Sequence, residues 1–302
     1  MKKKILWIMV IGLLISNSSF AEKINVREGV ELPKDISTGY ENPFELTCTW
    51  TENGQCLTPD YALQIVNKKN DYPVRLGEKS VRIELRKGDC HQKRKGRYND
   101  CKATPPAERH ELANKNDIRG KKWHTYSIFI PENNPIIDSE WITMGQFHTL
   151  NGTAPPVNLD LEDNNFLLVT RFFCIDKKGC DSHHAKNRRI KILDSENLLG
   201  KWNDFIFNAY WTNNKKKGYF KLWVNGKLVY HYKGKTIGSN DAAIHQLGIY
   251  RGEAKNSNEA NHVVFYDQIK MAKSCKKINL KKLGYSCKDL ESQELKFIHT
   301  IK

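Results

Sequence analysis

Trp141-Ile142-Thr143-Met144-Gly145-Gln146-Phe147-His148 decides how the rest of the chain is read. Its short alternation of apolar, aromatic and polar residues is that of a β-strand. Side chains alternate across a strand, so Gln146 and His148 share a face. Strict period two puts Ile142 and Met144 on that face too, which then turns from apolar to polar along its length. An amide donor beside an imidazole can hold a carboxylate and move a proton. The same pair also suits a surface glutamine and a satisfied histidine on an ordinary sandwich strand. What accompanies it elsewhere decides between the two.

Outward from this stretch the strand signal repeats. Ser80-Val81-Arg82-Ile83-Glu84-Leu85-Arg86 alternates strictly. Residues 123–130 read as a strand stopped by Pro131. Residues 158–161 and 166–173 read as a pair around Glu162-Asp163-Asn164-Asn165, and 188–193 as a basic strand or edge. Residues 202–211 are strongly aromatic, and 219–232 carry Asn225-Gly226 between alternating runs, the signature of a type I′ hairpin. Residues 247–250 and 263–269 complete the series. Helical periodicity is absent, and many short strands with regular turns predict an all-β sandwich or barrel.

The N-terminus is basic at Lys2, Lys3 and Lys4, apolar from Ile5 to Ile15, and closes on Ser19-Phe20-Ala21. That predicts a secretory leader over residues 1–21, too short to span a bilayer comfortably. About 280 residues then remain, enough for one large domain. Residues 22–274 are expected to form it, with a Lys-rich, disulfide-stapled extension over 275–302. Of the formal charge of +15, three belong to the leader lysines, which leaves +12. Outside the cytoplasm such a charge points to an acidic polysaccharide. No nucleic acid and, once the leader is removed, no membrane is expected as partner, and the chain is expected to act as a monomer.

The chain has eight cysteines, an even number, falling as neighbours. The oxidising compartment favours disulfides, and local pairing would join Cys48 to Cys56, Cys90 to Cys101, Cys174 to Cys180 and Cys275 to Cys287. Tight Cys-x-x-Cys spacing, usual for zinc, is absent. The loop clipped by Cys90 and Cys101 gathers Lys93, Arg94, Lys95 and Arg97. These are candidate contacts to a polyanion, or simply a solvated loop.

In Glu108-Arg109-His110-Glu111-Leu112, period two puts Arg109 and Glu111 on one face and His110 on the other. Gly248 and Tyr250 share a parity as well. An arginine, an amide, a histidine and a tyrosine on one sheet face could bind a carboxylate, accept a proton and donate one. This set suits β-elimination from a uronic acid chain, which consumes no water and needs no paired carboxylates. A glycoside hydrolase ordinarily wants two carboxylates, and only Glu111 offers itself. Arg109 and Glu111 are more simply an ion pair that holds the arginine. A non-catalytic lectin on the same scaffold is the other alternative, though it has no need of His148 and Tyr250 together. Trp141, Trp211 and Trp223 could stack sugars, but aromatics chiefly fill sandwich interiors.

Arg109-His110-Glu111-Leu112, Gln146-Phe147-His148, Lys221-Leu222-Trp223-Val224-Asn225-Gly226-Lys227 and Gly248-Ile249-Tyr250-Arg251 together resemble, in order and spacing, the motifs of the heparin lyase I-like polysaccharide lyases. More loosely the chain resembles the alginate and glucuronan lyases of related fold. The resemblance spans residues 80–267. It implies a concanavalin-like β-jelly roll with the active site on its concave sheet. It also implies Arg109, Gln146, His148 and Tyr250 as the catalytic set. Glu111 and Arg251, their neighbours in the sequence, are further candidate substrate contacts. Where alginate lyases carry a lysine two residues before the glycine, this chain has Gln246. Some heparin lyases bind structural calcium, but no acidic cluster marks such a site here, so no cofactor or metal is expected.

Overall fold

The alternation read from the sequence resolves into two large sheets packed face to face, with a separate two-stranded pair of Thr49–Trp50 and Cys56–Leu57. The computed structural model describes residues 29–47, 49–50, 56–92, 99–134, 141–151, 154–162, 165–175, 189–252, 261–295 and 299–300. One sheet has seven strands, in the order Arg189–Asp194, Asn165–Thr170, Val157–Glu162, Ile142–Thr149, Ala243–Gly252, Ala107–Ile118, Phe44–Leu46. The other has nine. Its main path runs His299–Thr300, Lys227–Lys233, Tyr219–Val224, Trp202–Trp211, Gly120–Phe129, His262–Ala272, Lys79–Leu85, Leu63–Asn67, and Ser37–Thr38 adds beside His262–Ala272. Pairing is antiparallel except for the short strands Ser37–Thr38 and His299–Thr300. This is the β-sandwich that the alternation predicts, of the jelly-roll class that the resemblance implies.

The interior forms because each strand turns one apolar face inward. Leu112, Leu159, Leu168, Leu247 and Ile249 of the seven-stranded sheet meet Tyr126, Phe205, Phe207, Phe220 and Tyr266 of the other in one buried cluster. Phe147 is its aromatic centre, with ring centroids 5.3 Å from Phe207 and 5.0 Å from Trp211. Asn225 and Gly226 take φ of 50° and 80° and close the hairpin between Tyr219–Val224 and Lys227–Lys233, as expected for a type I′ turn.

The parity of the Trp141–His148 stretch needs correction. The pairing with Ala243–Gly252 shifts between Leu247 and Tyr250, and the pairing with Val157–Glu162 shifts between Leu159 and Asp160. The irregularity inverts the alternation. Ile142 and Met144 therefore belong to the core, as does Phe147, while Gln146 and His148 stand on the opposite face. Tyr266, from the nine-stranded sheet, supports this break from within. Its hydroxyl donates to the carbonyls of both Met144 and Gly248.

A second apolar cluster lies on the far side of the nine-stranded sheet. Trp123 and Trp223 stack there at 5.5 Å beside Ile206 and Leu228. The segment from Cys275 covers them with Ile278, Leu280, Leu283 and Leu290. It forms the helices Cys275–Ile278 and Cys287–Ser292, too short to leave a helical period in the sequence. Trp223 Nε1 donates to the Leu290 carbonyl at 3.1 Å, and Tyr285 donates to Asp204 Oδ2 at 2.7 Å. The Cys275–Cys287 and Cys90–Cys101 disulfides form as expected. The leader, Lys93, Arg94, Lys95, Arg97, Cys48 and Cys180 lie outside the described residues, as does the side chain of Cys56. No helix among the described residues is long and apolar enough to cross a membrane.

Candidate active site

The register of three adjacent strands brings the expected set together. In the ladder Tyr250 stands opposite Arg109, Gly248 opposite Glu111, and Gln246 opposite Gln146. Leu112, Leu247, Ile249 and Phe147 point inward, so Arg109, Glu111, Gln146, His148 and Tyr250 share the outward face of the seven-stranded sheet. His110 is on the inner side, where its Nε2 meets Asp89 at 3.1 Å. Glycine is required at 248. Its φ is +149°, and a Cβ there would collide with the His110 carbonyl oxygen and lie 2.6 Å from the Glu111 Cα.

Arg109 is fixed before any substrate arrives. Its Nε and Nη2 donate to Asp100 at 2.6 and 3.0 Å, and its Nη1 to Glu111 at 3.2 Å. The guanidinium carbon lies 3.5 Å from the centroid of the Tyr250 ring, so cation and phenol stack. Trp141 packs edge-on against the same ring at 4.5 Å. Tyr250 is thus held between a guanidinium and an indole.

Glu111 is the hub. It is buried, its Oε1 accepting from Gln146 Nε2 at 2.7 Å and its Oε2 from Arg109. Burial raises its carboxyl pKa, and Arg109 and Gln146 pull against that. It therefore orients the two carboxylate-binding candidates from behind. His148 is half-buried, and its Nδ1 lies 2.9 Å from the Thr149 carbonyl oxygen. The Thr149 N–H also donates to the same Nδ1, at 2.8 Å. A ring protonated at Nδ1 serves the carbonyl and presents Nε2 as acceptor, whereas a ring that accepts the N–H at Nδ1 carries its proton on Nε2. Desolvation lowers the imidazole pKa, with Arg109 and Arg171 adding to the effect. Desolvation thus favours the neutral ring over the imidazolium.

Two corrections follow from side-chain direction. Arg251 is fully buried and forms an ion pair with Glu108 at 2.8 Å on the inner side of its strand, so it is not a substrate contact. Sequence reasoning also missed a carboxylate on the outward face. Asn158 and Asp160 alternate with Val157, Leu159 and Leu161, which are core residues. Asn158 stands opposite Gln146, and Asp160 opposite Thr143. That alternation was present in the sequence, and parity alone would have placed both beside Gln146.

Solved structures of similar architecture include an alginate lyase of polysaccharide lyase family 7, 15% identical over 80% of this chain and 97% of that one, with TM-score 0.46. An alginate lyase from Pseudomonas aeruginosa is 14% identical over 74% and 94%, at 0.45. One from Corynebacterium sp. is 14% identical over 72% and 82%, at 0.46. No curated protein matches this chain. Residues 59–270, which hold every strand of the outward-face set described here, match the polysaccharide lyase family model, and the chain belongs to the polysaccharide lyase family.

Proposed function

We propose that the chain is an exported lyase that cleaves a uronic-acid-containing anionic polysaccharide, of glycosaminoglycan, glucuronan or alginate type, by β-elimination. The observation that carries this reading is the convergence of Arg109, Gln146, His148 and Tyr250 on one face around the buried Glu111. Arg109 and Gln146 hold the uronate carboxylate and draw off its charge, which stabilises the enolate-like intermediate once the C5 proton leaves. His148 takes that proton when it lies across the ring from the leaving oxygen, and Tyr250 donates to O4 as the C4–O bond breaks. Where proton and leaving group lie on the same side, Tyr250 serves both steps and His148 orients. One side chain cannot easily reach both faces of a sugar, which forces this division. Binding is supported by the +12 charge left after the leader lysines.

The test is the absorbance band of the unsaturated uronate, followed against heparin, heparan sulfate, hyaluronan, alginate and glucuronan. Growth of the band with one of them fixes the substrate. A flat response to all five, from folded enzyme, sinks the uronate reading.

A further inference from the structure

The outward face carries a charged row that the reacting set does not use. Arg171, just past Asn165–Thr170, donates from Nη1 to Asn158 Oδ1 and to the Pro155 carbonyl, each at 3.0 Å. Asn158 Nδ2 lies 3.4 Å from Thr143 Oγ1, and that hydroxyl donates to Asp160 Oδ1 at 2.7 Å. Every donor in the row points the same way, from a guanidinium to a carboxylate. Arg171 is 5% exposed and Asp160 6%, as deeply set as Gln146 at 4%. Asn158 is one strand beyond Gln146, on the side away from Arg109. That step is about 4.8 Å, comparable to one sugar ring with its linkage.

A cation this deep is costly unless its field is answered. Asn158 and Thr143 stand in the row between Arg171 and Asp160, so the carboxylate answers the guanidinium across two neutral side chains. Attraction for an anion from outside is thereby moderated rather than abolished. The guanidinium also reaches the reacting set, as one of the charges that depress His148.

We propose that Arg171 and Asp160 form a charge-tuned carboxylate subsite. Arg171 contacts the acid group of the uronate residue next to the one being cleaved, and Asp160 is the counter-charge that sets how strongly it pulls. The inference rests on the polyuronate reading above. Burial holds the Asp160 carboxyl up at about 6, so its counter-charge fades in mild acid. The charged groups whose fields reach Asp160 are Arg171 and Arg189, the latter paired with Glu162.

The experiment measures binding of a defined uronate oligomer to the full chain by calorimetry, beside steady-state kinetics on the polymer. Arg171→Gln should raise Kd and KM about tenfold or more, the scale of a lost charge-assisted hydrogen bond, with kcat changed less. Asp160→Asn keeps a hydrogen-bonding side chain of the same size and removes the charge. It should lower Kd above the carboxyl's pKa, and match wild type below it. His148 titrates in both proteins, so only their difference reports Asp160. Arg171→Lys should recover part of the affinity. A merely structural row would weaken binding in both neutral variants, so equal signs, or an unmoved Kd in Arg171→Gln, overturn the subsite. Wild-type protein that binds no uronate oligomer overturns the polyuronate reading and the subsite with it. Melting temperatures identify any variant that has not folded.

Discussion

The outer faces of the two sheets obey the same alternation and end differently. On the nine-stranded sheet the outer residues Trp123, Ile206, Trp223 and Leu228 are apolar, and the chain covers them with its own segment from Cys275. On the seven-stranded sheet the outer residues Arg109, Glu111, Gln146, His148, Asn158 and Asp160 are polar or charged; Glu111 ties Arg109 to Gln146, and Thr143 ties Asn158 to Asp160. One face is spent on stability. The other keeps charged groups at the edge of solvent, where desolvation raises Glu111 and Asp160 and lowers His148. Such perturbed groups cluster where chemistry is done.

The comparison can be broken by substitutions that respect only one face. Tyr250→Phe should lower kcat about 10²–10⁴-fold, the usual range for loss of a general acid or base, while the melting temperature and oligomer binding stay close to wild type. Near-normal turnover on a confirmed substrate would remove Tyr250 from the reacting set. Trp223→Ala, on the covered face, should do the reverse. It removes a buried indole stacked on Trp123 and bonded to Leu290, at a cost of about 3–5 kcal/mol in denaturant unfolding. Turnover per folded molecule should not change. A kcat loss larger than the folded fraction explains would show that the two faces are coupled.

Replacing both Cys275 and Cys287 by serine should cost about 2–4 kcal/mol, since the bridge closes a short loop in the unfolded chain. Chemical denaturation of the double variant checks this, and an unshifted midpoint would mean that the apolar cover holds without its staple. The smallest effect concerns acid. Burial lowers the pKa of His245 and His262 to about 3, below the unfolded value. The unfolded chain then takes up protons that the native one refuses, so stability present above about pH 6.5 is lost as pH falls toward 3. Asp160 and Asp267, raised to about 6, act oppositely, because their contribution is present in acid and lost as pH rises through 6. The melting temperature should therefore fall modestly from neutral pH to about 4. A flat profile over that range would contradict the buried neutral state of the two histidines.

Much of this contrast is legible in the sequence wherever the strands are regular. Period two separates Arg109 and Glu111 from His110, and Asn225-Gly226 marks its hairpin, because both signals are local. Reading fails where one strand gains a residue on its partner. The break near Met144 and Gly145 sends Ile142 inward and Gln146 outward, and nothing in composition marks an unpaired residue except a glycine that any turn might use. Arg251 was misjudged by proximity to Tyr250, although alternation already assigned it to the other face. The cover over Trp223 was invisible because helices of four to six residues leave no period.

The hydroxyl of Tyr266 reaches the carbonyls of Met144 and Gly248 from the opposite layer. Both register slips of the Ile142–Thr149 strand are thus latched from inside the sandwich. Loops can then be lengthened, shortened or exchanged over generations without resetting which residues look outward. A lineage built this way can alter its rim while the outward-facing side chains keep their mutual placement.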